Sequence, residues 1–161
     1  MLILTLLLML LSSINANAVQ NDKLDLQGPY ILPRYPERAI HARIIGLFGV
    51  KVTVSQGRVD SVRILGRQTL WPGAWRPPPK ETMTPEESIP EFRKAIEESL
   101  RSWKFGKAQS GSFPLEIYFM PKDSSQENDK AYTSYRIVGL PNGPPTQIIV
   151  EAHQLFHEAT K

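Results

Sequence analysis

A strand–turn–strand pattern near the centre of the chain limits the fold more than any other feature. Val50, Val52 and Val54 alternate with polar residues, and a period of two residues is typical of a strand with one buried face. Residues 55–57, Ser-Gln-Gly, predict a three-residue turn with the glycine in the left-handed conformation. The chain therefore reverses here, and we expect an antiparallel hairpin.

The return strand carries a break in its alternation. Val62 and Ile64 have one parity, whereas Val59 has the other. Either a β-bulge lies near Asp60 and Ser61, or Val59 packs at the end of the turn. In both cases Val62 and Ile64 are predicted to face the core.

An amphipathic helix follows the hairpin. Residues 84–87 (Thr-Pro-Glu-Glu) and residues 88–91 (Ser-Ile-Pro-Glu) both fit a capping box, in which a Ser or Thr and a Glu cap the first turn reciprocally. Gly106 is expected to end the segment. Apolar residues at helical spacing predict one buried face, formed by Phe92, Ile96, Leu100 and Trp103.

A third strand with strict alternation comes next. Phe113, Leu115, Ile117 and Phe119 share one side, and Tyr118 lies on the other. The economical arrangement is an α+β fold, in which a small antiparallel sheet of about three strands is covered on one face by one long helix. The predicted core comprises Tyr35, Pro36, Val50, Val52, Val54, Val62, Ile64, Phe92, Ile96, Leu100, Trp103 and Phe105.

Composition predicts the structure of the remaining segments. Residues 66–85 are rich in proline and predict a long loop that carries Trp71 and Trp75. Residues 122–131 are predicted to be a polar linker, and residues 132–161 a C-terminal hairpin followed by a short helix. Because an unpaired strand edge is a liability, we expect the hairpin either to pair beside the third strand or to extend the sheet to a new edge.

The N-terminal residues indicate export. Residues 1–18 combine an apolar run with an Ala-Asn-Ala end, the pattern of a signal peptide cleaved after Ala18. The run is shorter than the roughly 20 residues that span a bilayer, and an uncleaved anchor is the alternative. Residues 19–34 are predicted to be an extended lead-in of a periplasmic or secreted protein. The absence of cysteine excludes disulfides and thiolate metal sites.

A series of landmarks occurs in a specific order between about residues 33 and 121. They are Tyr35-Pro36 with Ala39, Gly46 at the first strand, the stretch GRVDSVRIL from Gly57, Trp103-Lys104-Phe105, Gly111, and the strand to Phe119. In this order they resemble the C-terminal domain of TonB-type energy transducers, which would occupy residues 35–121. The resemblance implies a periplasmic, non-catalytic α+β module that grips an extended peptide of an outer-membrane receptor as an added strand.

The partner is therefore expected to be a protein or peptide of the cell envelope. A complete transducer has an uncleaved membrane helix and a long spacer, whereas the lead-in here reaches only about 55 Å at ~3.5 Å per residue. We interpret the chain as a TonB-like domain in a soluble envelope protein, with an outer-membrane receptor of TonB-dependent transport as one candidate partner. The candidate partner-binding residues are Phe113, Leu115, Ile117, Tyr118, Phe119, Trp71 and Trp75.

Trp71 and Trp75 also support an alternative function. They lie in a proline-stiffened loop flanked by Arg67, Arg76 and Lys80. Two exposed rings would form an aromatic platform, and the protein would then be a secreted binding protein for a small ligand or glycan. Alternatively both rings fold down over the sheet, because large exposed rings favour aggregation.

Other chemistry has weaker support. His153 and His157 are four residues apart and next to Glu158, so a helix would place both rings near one metal ion. Metal sites usually take three protein ligands, and the H-E-x-x-H signature is missing, so neither a metal nor a cofactor is expected. No G-x-S-x-G motif occurs and no spacing selects an acid–base pair such as Asp60 and Glu116, so an enzyme is not expected. A net charge of +3 without a dense Lys/Arg block does not favour nucleic-acid binding.

Overall fold

The computed structural model describes residues 24–72, 83–123, 132–139 and 143–154. Within these ranges the chain forms seven strands and two helices. In chain order they are β1 (Leu26–Gln27), α1 (Glu37–His41), β2 (Ile45–Ser55), β3 (Arg58–Leu70), α2 (Pro85–Arg101), β4 (Lys104–Phe105), β5 (Gly111–Asp123), β6 (Tyr132–Gly139) and β7 (Pro145–Gln154).

All seven strands belong to one mixed sheet, in the order β1-β4-β3-β2-β5-β7-β6. Neighbouring strands are antiparallel, except that β5 and β7 are parallel. The expected fold, a three-stranded antiparallel sheet under one long helix, is therefore wrong. β1 and β4 have two residues each, too few for a periodic pattern, and the C-terminal strands join the sheet instead of forming a separate extension.

The β2–β3 hairpin differs from its prediction at the turn. Ser55 pairs with Arg58, so the connection has two residues, Gln56 and Gly57, with φ of 50° and 75°. Positive φ at both positions is the mark of a type I′ turn, whose twist matches that of the flanking strands. The predicted three-residue turn is therefore wrong.

The break in alternation on β3 is a bulge. Thr53 pairs with Ser61 and Val54 pairs with Val59, which leaves Asp60 as the extra residue. The first of the two sequence interpretations is thus confirmed. β3 then continues to Leu70, where a loop beginning at Gly66 had been predicted, and residues 73–82 of that predicted loop lie outside the described residues.

Helix α2 begins at the first of its two predicted capping boxes. The N–H of Thr84 donates to Oε2 of Glu87 (2.8 Å), and the N–H of Glu87 donates to Oγ1 of Thr84 (3.3 Å). These contacts lower the pKa of Glu87. The hydrogen bond from the backbone of Thr84 has the largest effect, and the one with its side chain has the next largest. The second box does not form, because Ser88 lies inside the helix and its hydroxyl donates to the carbonyl oxygen of Pro85.

The core lies between one face of the sheet and the helices. All predicted core residues are buried except Pro36, Val62 and Ile64, which are half-buried. Part of the predicted lead-in belongs to this core, since Leu24 is buried and the Ile31 carbonyl accepts bonds from α2 and from the residues just after it. The opposite face of the sheet, which we call the outer face, carries the half-buried and exposed residues that alternate with the core residues along β2.

The C-terminal segment completes the sheet. β7 pairs with β5 through Glu116–Asp123, and β6 pairs with β7 on the far side, so the predicted pairing beside the third strand is confirmed. Residues 122 and 123 of the predicted linker belong to β5, and 124–131 lie outside the described residues. Residues 151–154 continue β7 where a terminal helix was predicted, and residues 155–161 are not among those described. Residues 1–18, the predicted signal peptide, are also outside them.

Candidate functional site

β5, the strand expected to accept a partner, has neighbours on both sides. β2 pairs with residues 111–119, and β7 pairs with residues 116–123. Four of the candidate residues are buried beneath the helices, with at most 2% of their surface exposed: Phe113, Leu115, Ile117 and Phe119. Because these side chains are buried, their interpretation as partner-binding is corrected to a core role. β7 covers the edge of β5 from Glu116 onward.

Tyr118 alone of the β5 candidates points to the outer face. Its hydroxyl donates to Oε2 of Glu116 at 2.8 Å, and Gln147 on β7 donates to the same oxygen at 3.3 Å. The hydrogen bond to Glu116 raises the pKa of Tyr118. Glu116 therefore links Tyr118 to Gln147 of β7.

β6, the last strand in the order, forms one edge of the sheet, which we call the free edge. Residues 132–138 pair with β7 in continuous register, with an irregularity only between Val138 and Gly139. Among the described residues nothing pairs with the other side of β6. Its exposed apolar and aromatic side chains are Tyr132 (49%), Tyr135 (39%), Ile137 (43%) and Val138 (47%). Such a strand presents a row of backbone donors and acceptors that can take an added strand.

The opposite side of the sheet is less suited to accept a strand. β1 and β4 are short, and β3 pairs with β4 only at Arg58, so most of β3 has no strand beyond it in the described part of the chain. β3 carries two bulges, one at Asp60 and one at Leu65, where Gly49 pairs with Gly66 and Val50 with Ile64. Bulges and charged residues are the devices that prevent edge-to-edge pairing. β6, in contrast, has no bulge over residues 132–138, and Arg136 is its one charged residue.

Polar side chains on the outer face anchor β6 to β7. Ser134 Oγ lies 2.9 Å from Nε2 of His153 and 3.3 Å from Oε2 of Glu151. The His153 ring stacks on Tyr132 with 4.2 Å between centroids and 7° between planes. Arg136 lies 3.6 Å from Glu151, so β6 is held to β7 by side chains as well as by the backbone.

Ser134 and His153 form the contact of a nucleophile with a base, without the rest of a catalytic site. In a triad the carboxylate bonds the second ring nitrogen of the histidine, whereas here Glu151 contacts the serine. The cluster therefore reads as a cross-strand anchor. No sequence motif could have revealed it, because Ser134 and His153 come together only through the register of β6 on β7.

Of the two tryptophans in the predicted loop, Trp71 lies among the described residues. Trp71 is half-buried and packs against the core, with its indole N–H enclosed and lacking a partner among the described residues. This agrees with the interpretation in which the ring folds down onto the sheet. Trp75 lies outside the described residues.

An open groove of about 450 Å³ crosses the outer face. It is lined by Gly49, Leu65, Pro114, Gln147 and Val138, among others, and Leu65 is 62% exposed. The groove reaches the free edge at Val138, so a segment paired with β6 has an apolar surface at one end.

His153, one of the predicted histidine pair, lies in a strand and not in a helix. His153 lies in β7 and is 9% exposed, and His157 and Glu158 are not among the described residues. Within the part of the chain that the structure describes, no three His, Asp or Glu side chains are grouped closely enough to hold a metal ion. Over the same residues, no helix is sufficiently long and apolar to span a bilayer.

No protein-family model matches the chain, and no curated protein matches it significantly.

Proposed function

We propose that this protein is a non-catalytic interaction module of the bacterial-type cell envelope, which binds an extended segment of a partner protein by strand addition. The proposal places it in the periplasm after removal of residues 1–18. Mass measurement of the protein recovered from a periplasmic fraction tests that cleavage.

The free edge of β6 is the observation that supports the proposal most. It offers seven residues in unbroken register, Tyr132 to Val138, with exposed apolar side chains on both faces. An added strand gains a backbone ladder for affinity and alternate side-chain contacts for specificity. Arg136, which is exposed beside Glu151, adds one positive charge that can pair with an acidic residue of a partner.

The resemblance to TonB C-terminal domains supports the same binding mode at a different strand. In that family the partner would lie beside the strand ending at Phe119, a position that β7 occupies here. Here two further strands, β7 and β6, lie beyond that strand, and we propose that the accepting edge is β6. An outer-membrane receptor of TonB-dependent transport remains a candidate partner.

The alternative, a glycan- or ligand-binding protein built on the tryptophan loop, has less support. Trp71 packs against the core and does not project as half of a platform. We therefore favour the strand-addition function.

Proline substitutions on β6 test the proposal, because proline removes a backbone donor. Successive N–H groups of a strand point to opposite sides, so one of Tyr135→Pro and Arg136→Pro removes a donor to β7 and the other removes a donor at the free edge. The mature chain is used as bait in envelope extract, and segments of the captured protein are then titrated with amide chemical shifts as the readout.

We expect the shifts to follow β6, and the proline variant that keeps the native spectrum to lose binding. The matched control is whichever of Arg67→Pro and Gln68→Pro on β3 keeps the native spectrum, since successive N–H groups there also point to opposite sides and both residues are exposed. Binding that persists in the folded β6 variant, or shifts that follow β3, would show that the partner does not add to β6.

A further inference from the structure

We propose that β6 also pairs with β6 of a second copy of this chain, antiparallel, about a two-fold axis through Tyr135. The inference concerns the same edge as the proposed function but does not depend on it. It follows from the side chains of β6, which are complementary to themselves in one register.

The faces of the strand limit the possible registers. Residues directly opposite each other in an antiparallel pair point to the same face, so the two-fold axis must pass through a residue rather than between two. An axis through Arg136 would place two like charges opposite each other, which is destabilising. Axes through Ser134 or Ile137 would pair only five residues of the eight-residue strand. An axis through Tyr135 pairs all of residues 132–138 and separates the arginines.

The core-side row gains apolar cover in this register. Tyr135 lies opposite Val150 of β7, and Ile137 lies opposite Ile148, both of which are fully buried. Tyr135 and Ile137 themselves are 39% and 43% exposed, because β6 lies at the rim of the sheet. With the axis through Tyr135, the Tyr135 ring lies opposite the Tyr135 ring of the second copy, and Ile137 lies opposite Thr133 of that copy. The row therefore continues the core across the interface.

The outer row has matched charges. Arg136 would lie opposite Ser134 of the second copy, and Ser134 pairs in turn with Glu151 of its own β7. Serine is small, so the long Arg136 side chain can pass it toward that carboxylate. Glu151 already attracts Arg136 at 3.6 Å and Lys122 at 3.7 Å within one chain, and only 19% of its side chain is exposed. A second arginine would therefore meet a carboxylate at each end of the interface.

The symmetry makes the assembly a closed dimer. Each copy contributes the same edge, so pairing uses up both β6 strands and cannot propagate. Seven residue pairs along one edge bury less than the roughly 800 Å² per partner of a standard interface, so a weak complex is expected. A strand from another protein could displace it, and self-pairing would then protect the edge until a partner arrives.

Single cysteines read the register directly, because the chain contains none of its own. In the proposed register Tyr135→Cys places the two Cβ atoms opposite each other on the axis. In Arg136→Cys the two cysteines are offset by two residues along the strands. Their Cα atoms are then more than ~7 Å apart, too far for a disulfide. Lys51→Cys, exposed on the central strand β2, measures random collision.

Under mild oxidation we expect Tyr135→Cys to form at least about tenfold more disulfide dimer than either control, since only its geometry permits the bond. Sedimentation of the unsubstituted mature chain over a dilution series provides a second measurement. Tyr135→Lys should shift the monomer–dimer equilibrium to monomer, whereas Ser61→Lys, which adds the same charge on β3, should not.

Cross-linking of Tyr135→Cys at the level of Lys51→Cys, or preferential cross-linking of Arg136→Cys, would overturn the inference. So would an unsubstituted chain that stays monomeric at every concentration. If a partner segment still shifts the β6 amides in that case, self-pairing is absent while the proposed function stands. A Tyr135-centred dimer that no partner segment displaces would support self-pairing and count against the proposed function.

Discussion

Tyr35 and Trp103 show how single residues connect the N-terminal segment to the rest of the core. The Trp103 indole N–H donates to the Ile31 carbonyl oxygen at 2.9 Å, and the Tyr35 hydroxyl donates to the carbonyl oxygen of Ile44. Buried aromatic rings with a polar atom need such partners. Ser99 donates to the Ile31 carbonyl as well, so one carbonyl receives two side chains of the helical region.

Tyr35→Phe should change how stability depends on pH. Burial raises the pKa of Tyr35 above its ordinary value, so the folded protein keeps this proton where the unfolded chain loses it, near pH 10. This contribution is fully present below the unfolded pKa and is lost as the pH rises above it. We expect the variant to be about 1–2 kcal/mol less stable at pH 7, because a buried hydrogen bond is lost, and the difference to shrink above about pH 10.

Urea unfolding from pH 7 to pH 11 measures this difference. Phe48→Leu, a core change without a phenol, is the matched control, and its deficit should not shrink with pH. A constant deficit for Tyr35→Phe would show that the hydroxyl ionises equally in both states.

At the scale of elements, the β2–β3 turn is held against the strand beyond it. The N–H of Gly57 donates to the carbonyl of Gln109 at 2.8 Å, and its carbonyl accepts from the N–H of Phe105 at 2.8 Å. A Cβ at position 57 would lie 2.8 Å from the carbonyl oxygen of Gly106. The glycine is therefore required by its backbone conformation and by the close approach of the chain.

Gly57→Ala should destabilise the protein much more than Gly66→Ala. The left-handed backbone at position 57 costs an L-residue about 1–2 kcal/mol, and the contact with the Gly106 carbonyl adds to this. A Cβ at Gly66 would meet nothing within 4 Å, so we expect a change within about 0.5 kcal/mol there. Denaturant midpoints of the two variants measure the contrast. Equal effects would mean that the turn can relax without loss.

At the scale of the whole molecule, the C-terminal segment is part of the core. Ile148 and Val150 are fully buried and lie beside Ile117 and Phe119 of β5. The residues that resemble a TonB domain therefore share one sheet and one core with the hairpin that follows them.

Truncation after Asp123 should expose one side of β5. The amides of residues 116–123 that bond to β7 should lose protection from hydrogen exchange, because their acceptors are removed. Residues 111–115 pair with β2 and serve as the internal control. Equal protection of residues 116–123 in the full and truncated chains would contradict the parallel β5–β7 pairing.

Local signals were enough to predict several parts of the fold. The capping box at Thr84, the buried face of α2, the bulge at Asp60 and the burial of Trp103 all follow from a few neighbouring residues. Each has a physical cause within one or two turns of chain, such as an unsatisfied N–H group or the period of an apolar face.

The sequence by itself thus determined that the β2–β3 hairpin, α2 and β5 form, and which of their side chains share one face. Only the tertiary structure decided that β7 lies parallel to β5, that β6 is the free edge, and that Ser134 meets His153. The physical reason is that an alternating pattern specifies the buried face of a strand but neither its neighbour nor its direction, since any strand can satisfy the backbone groups of an edge. The candidate binding edge therefore depends on how far the sheet extends, which is a property of the whole molecule.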